Sequence, residues 1–139
     1  MKNFPKILAS LCVLLLAGFS GCTTEDPSPS PGDPRTAFVG TWMVNEQETK
    51  GTFEVTIELD ASSSTAVKIY NFANSGASSN PAIAEVSSTT ITLVPEQVIG
   101  DGWIINGGGS LTTSTMINWA YTLNDGATLH NLVAVFTKQ

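Results

Sequence analysis

The chain has 139 residues, 42% of them hydrophobic, and carries 6 Lys and Arg against 12 Asp and Glu, a formal net charge of −6 at pH 7. That length suits one small domain. An acidic surface repels phosphate backbones and anionic headgroups, so charge excludes nucleic acid as a partner and leaves no basic patch for lipid.

Lys2 and Lys6 flank the start of the chain, Ile7 to Phe19 is a 13-residue apolar run, and Ser20-Gly21-Cys22 follows. A positive start, a short apolar stretch and a small-residue site are the order of a secretory leader. The run is shorter than the roughly 20 residues of a membrane-spanning helix. Residues 1–21 are therefore expected to be a signal peptide cut before Cys22. A cysteine at that position resembles the lipobox of bacterial lipoproteins. The resemblance implies that the Cys22 thiolate accepts a diacylglycerol, that acyl chains such as palmitate hold the protein to a membrane, and that it resides at the outer membrane. Glu25 and Asp26, just past that cysteine, resemble surface-export signals of some Gram-negative lipoproteins.

With the leader gone, Arg35, Lys50, Lys68 and Lys138 face all 12 acids. Cys12 leaves with the leader and Cys22 is the anchor, so no thiol remains for a disulfide or a nucleophile. Thr23 to Arg35 holds four prolines and no apolar periodicity, and residues 22–35 are expected to be a lipidated start and an extended tether. Proline's missing N–H argues against helix there.

From Thr36 to Gln139 the pattern is strand after strand. Phe53, Val55, Ile57 and Leu59 alternate with Thr52, Glu54, Thr56 and Glu58, the period of two of a half-buried strand. Thr90–Leu93 repeats it, as does Met116–Leu123, where Ile117, Trp119, Tyr121 and Leu123 share a face. Further strands are expected at 40–45, 66–72, 82–86, 103–106 and 129–137. Asn124-Asp125-Gly126 is a hairpin signal. Pro95 marks a strand end, and Gly107-Gly108-Gly109 a bulge or a sharp barrel-corner bend rather than a phosphate loop. About eight short strands joined by tight turns describe an all-β antiparallel meander, expected to close into a barrel because closure removes edges, with a β-sandwich as the alternative.

Catalytic chemistry finds few carriers. His130 is the only histidine, no Gly-x-Ser-x-Gly elbow is present, and the usual zinc ligand set is missing. Glu46 and Glu48, about 6.6 Å apart by strand rise, have the spacing of a carboxylate pair, but solvating charges on an exposed face are the plainer reading. No enzyme, cofactor or metal is called for. The aromatic residues remain: Trp103, Tyr70 and Tyr121 are the candidate ligand-binding side chains, with Trp103 set off by Gly100-Asp101-Gly102 at a loop edge.

Phe38-Val39-Gly40-Thr41-Trp42 opens the domain with a Gly-x-Trp, and Ile117 to Gly126 followed by a strand closes it. Both resemble the lipocalin and wider calycin group, in particular small lipocalin-like lipoproteins of Gram-negative bacteria. The resemblance implies a barrel with Trp42 plugging its closed end, and a binding or accessory role toward a small apolar ligand. The alternative is a surface β-sandwich that binds glycans for an uptake system.

Overall fold

The computed structural model describes residues 30–48, 51–76 and 80–139; the leader, Cys22 and most of the tether lie outside that range. Among the described residues nine antiparallel strands form one sheet: β1 (Gly40–Glu46), β2 (Thr52–Leu59), β3 (Ala66–Tyr70), β4 (Ala82–Ser87), β5 (Thr90–Leu93), β6 (Gln97–Ile99), β7 (Trp103–Thr113), β8 (Met116–Asn124) and β9 (Leu129–Lys138). Neighbours run β5-β4-β3-β2-β1-β9-β8-β7-β6, and β5 also pairs with β7. That last pairing, Thr90 to Ser110 and Thr92 to Gly108, closes the sheet on itself. The sandwich alternative is thereby corrected: two open sheets would leave β5 and β7 unpaired edges, and here each satisfies the other's backbone groups.

β5 and β6 lie along the same neighbour, β7, so the barrel has eight strand positions. Between them Val94-Pro95-Glu96 bulges outward; Pro95 has no N–H to give a ladder, and Glu96 takes a left-handed φ of 57°. Gln97 repairs the seam this opens. Its Oε1 accepts from Ile83 N at 2.6 Å, and its Nε2 donates to Ile83 O at 2.7 Å and to Val94 O at 2.9 Å. A side-chain amide thus stands in for a peptide unit where β4 has lost its strand neighbour.

The inward faces follow the alternation of the sequence. Val55 and Ile57 of β2, and Ile117, Trp119, Tyr121 and Leu123 of β8, are all buried. An eight-position barrel is only wide enough for side chains to fill. Phe72 helps to fill this one. It comes from the β3–β4 connection, with its ring 5.2 Å from Trp119, 4.8 Å from Tyr121 and 6.3 Å from Phe136. The expected strand 66–72 stops at Tyr70 for that reason: Asn71 is left-handed at φ 61°, which turns Phe72 inward.

Strand β7 runs straight through Gly107-Gly108-Gly109, seven residues beyond the expected end at Asn106. The glycines make neither a bulge nor a break; the register shift in this pair lies between Leu111 and Thr113. They are there for clearance. A Cβ on Gly107 would sit 2.5 Å from Ala120 O, and one on Gly109 would sit 2.8 Å from the Trp119 ring.

One end is sealed. Pro34–Ala37 forms a 3-10 turn capped by Asp33. Arg35 is buried, forked onto the Asp33 carboxylate, and donates from Nη1 to Ser63 O at 2.6 Å and Ala66 O at 3.2 Å. The tether boundary at Arg35 is therefore corrected: the folded body already includes Asp33, Pro34 and Arg35. Proline is compatible with this because the first helical position needs no N–H donor. Trp42, fully buried, donates from Nε1 to Phe38 O at 2.7 Å and lies under Lys138 Nζ at 5.2 Å. Trp42 does plug the closed end.

Candidate binding recess

The opposite end carries the β1–β2, β3–β4, β6–β7 and β8–β9 connections, since β1 and β9 run antiparallel and β1 starts at the sealed end. There a recess of about 240 Å³ opens between Glu46, Ala73, Trp103, Leu123, Asp125, His130 and Leu132. Each comes from a strand end or a loop at that rim. Glu46 ends β1, Trp103 starts β7, Leu123 is next to last in β8, and Asp125 follows in the hairpin. Ala73 arrives on the same loop that inserts Phe72, and it holds a left-handed φ of 53°. A non-glycine residue there is strained, and such strain persists only where surrounding contacts over-determine it. Here the buried Phe72 ring and the Asn71 side chain do so; Asn71 donates to Glu54 O at 2.7 Å and accepts from Gly76 N at 2.9 Å.

Glu46 and Tyr121 meet beside the recess. Both are buried, and the Tyr121 hydroxyl donates to Glu46 Oε1. Burial first, then the adjacent carboxylate, push the Tyr121 phenol above its ordinary range, so it remains a donor. At the rim Asp125 Oδ1 accepts from Thr128 N at 2.7 Å and Ala127 N at 2.9 Å, and Oδ2 lies 3.1 Å from His130 Nε2. These contacts hold Asp125 down to about 2, with the Thr128 amide as the largest cause. An ionised carboxylate only accepts, so His130 Nε2 carries the proton between them.

Of the three candidate ligand-binding residues, one lines the recess and a second reaches it only through a hydrogen bond to Glu46. Trp103 is half-buried on the recess wall. Tyr121 is beside it through Glu46, largely covered at 4% exposure. Tyr70 is elsewhere: it pairs with Thr56 on the outer surface, in a shallow hollow with Glu54, Glu58 and Asn71. It therefore lies outside the recess, because in β3 the inward positions are Val67 and Ile69. The Glu46–Glu48 pair is corrected. Glu46 is buried inside the barrel rim, whereas Glu48 stands exposed in the turn beyond β1. The expectation missed Glu46 and the Asp125–His130 contact as site residues. The hairpin signal at Asn124-Asp125-Gly126 was the available clue to the second, since it folds position 130 back beside position 125. Among the described residues no group of three or more His, Cys, Asp or Glu could hold a metal ion.

No protein-family model matches the chain, and no curated protein matches it. Solved structures do. The protein EF1p2_mFAP2b, whose structure is bound to DFHBI, superposes with a TM-score of 0.52 at 15% identity, covering 79% of this chain and all, 100%, of that one. A fluorescence-activating β-barrel of de novo design gives 0.51 at 18% identity over 77% of this chain and 98% of its own. At such identities the likeness establishes the architecture: a closed antiparallel β-barrel of the lipocalin-like kind.

Proposed function

We propose that this protein is a binding module, held to a bacterial outer membrane through acyl chains on Cys22, that takes a small, largely apolar molecule into the recess at its open end without transforming it. The recess carries the reading. It is walled by Trp103, Leu123, Leu132 and Ala73, with a few polar groups at fixed positions, the usual composition of a ligand site. A cavity of roughly 150 Å³ accommodates benzene, so 240 Å³ suits a molecule of one or two rings. Two of the structures it resembles in fold are a fluorescence-activating β-barrel design and a protein bound to DFHBI, which agrees with a barrel of this fold holding a small molecule. The orientation also suits an anchored binder. The chain enters the fold at Asp33, at the sealed end, and in this reading an anchor at Cys22 lies on the side opposite the recess.

The test follows the three indole N–H resonances of full-length protein in neutral maltoside micelles while indole is added. Saturable movement of the Trp103 signal, with Trp42 and Trp119 unmoved, is the expected result, and in Trp103→Ala, followed through the backbone amides of Ala73, Leu123 and Leu132, saturable movement should be lost. No saturation by indole or other one- and two-ring molecules would overturn the reading. The anchor is tested with labelled palmitate: wild type takes label and stays with the membrane, and Cys22→Ser does neither. Unlabelled wild type would remove the anchor.

A further inference from the structure

We infer that the recess selects organic cations: molecules with an aromatic or aliphatic body of one or two rings and a protonated amine. The inference rests on the recess being a binding site and adds which chemistry that site prefers. Its basis is how charge is divided along the barrel axis. Among the described residues the Lys and Arg side chains all serve the sealed end or the wall leading to it, and His130, the one imidazole at the open end, is engaged with Asp125. Arg35 is locked on Asp33, Lys68 lies 3.6 Å from Asp60, and Lys138 covers Trp42. Lys50 lies outside the described residues. The open end carries Glu46 and Asp125 on the recess wall, with Asp101 and Glu48 exposed in the neighbouring turns. No Lys or Arg lines the recess.

Three effects then act in the same direction. The excess of acids draws cations toward the mouth. Trp103 presents an indole, the strongest of the aromatic faces for a cation. Asp125 is kept ionised by the turn amides and His130, so it presents a charge throughout the neutral range. An anion of the same shape meets these contacts with the opposite sign. A neutral molecule gains only the apolar contacts of Leu123, Leu132 and Ala73.

The experiment compares three ligands on one indole scaffold in the full-length protein at pH 7: tryptamine (ammonium), indole (neutral) and indole-3-acetate (carboxylate). The readout is again the Trp103 resonance, with protein-free micelles as the blank. Tryptamine should bind at least about tenfold more tightly than indole-3-acetate, with indole between them, and the ratio should shrink at high salt. Asp125→Asn keeps an oxygen for the Ala127 and Thr128 amides and should cut the ratio severalfold, as should Asp101→Asn, which disturbs no recess contact. Equal affinities, or a preference for indole-3-acetate, would overturn the cation inference and leave the recess reading standing. Failure of all three ligands to bind would instead remove the recess reading itself. A ratio unchanged in both variants would also overturn the inference.

Discussion

The Tyr121 hydroxyl donates to the Glu46 carboxylate across 75 residues of sequence, joining β8 to β1 next to the recess. Burial would penalise a carboxylate at 3% exposure, and a charge-assisted hydrogen bond offsets part of that cost. Tyr121→Phe keeps the ring against Phe72 and removes only the donor. The expected loss is about 2 kcal/mol, the range for a hydrogen bond to a charged group. A urea midpoint checks it. Glu46→Gln, which leaves an acceptor for the same hydroxyl, should cost less.

Gln97 offers a sharper test, because its amide has to accept and donate at once. Gln97→Glu preserves the shape. At neutral pH it can accept from Ile83 N but sets a negative oxygen against the Ile83 and Val94 carbonyls. A loss of about 2 kcal/mol is expected, more than for Gln97→Ala, where the seam can take up water. The introduced carboxyl would have a raised folded pKa, so the penalty is present above that value and relieved as pH falls through it. The stability gap to wild type should therefore narrow between pH 7 and pH 4, and a constant gap would show that the amide does not bridge the seam.

Much of the barrel was legible because strands write their burial into alternate letters. β2 spans the expected Thr52–Leu59, and the four inward residues of β8 were those of the pattern. Local alternation does not report what crosses the barrel. β6 is three residues long, too short for any period, and it reaches β4 through the Gln97 side chain while its ladder partner is β7. Phe72 looked like the end of a strand because it is apolar after Ala66–Tyr70, and only a left-handed Asn71 redirects it. The site was half legible for the same reason. Trp103 announced itself by its glycine-flanked turn, whereas Glu46 read as one of many surface acids until β8 supplied the Tyr121 hydroxyl above the same interior.

The glycines of β7 and of the turn before it separate two causes of glycine dependence. At Gly107 an added methyl meets Ala120 O at 2.5 Å and the Tyr121 Cα at 2.6 Å, with φ at 134°. At Gly102 φ is 101° but nothing lies within 4 Å. Gly107→Ala combines overpacking against a cross-strand backbone with conformational strain, about 3 kcal/mol or more together. Gly102→Ala carries strain alone, about 1 kcal/mol. Denaturant melts of the two variants should differ by at least the overpacking part. Similar losses would mean that β8 can move away from β7, and the tight interior described above would be looser than its distances state.

Acid should act on this fold through its aspartates. Asp125 is held at about 2 by the Thr128 and Ala127 amides and His130, against an ordinary value of 3.8. Asp33 is lowered first by Arg35, and Asp60 first by the Ser62 amide. A carboxyl with a depressed folded pKa contributes stability that is complete above its unfolded value and disappears as pH falls through the folded one. The urea midpoint should therefore stay level from neutral pH to about 5 and fall between about 4 and 2. Asp125→Asn should flatten only the part of the fall owed to the β8–β9 hairpin, since Asn keeps the amide contacts and does not titrate. Amide exchange of Ala127 and Thr128 reports that hairpin directly. If those two amides lose protection no earlier in wild type than in Asp125→Asn as pH falls, the carboxylate is not what orders the rim, and Asp125 would have no fixed place on the recess wall.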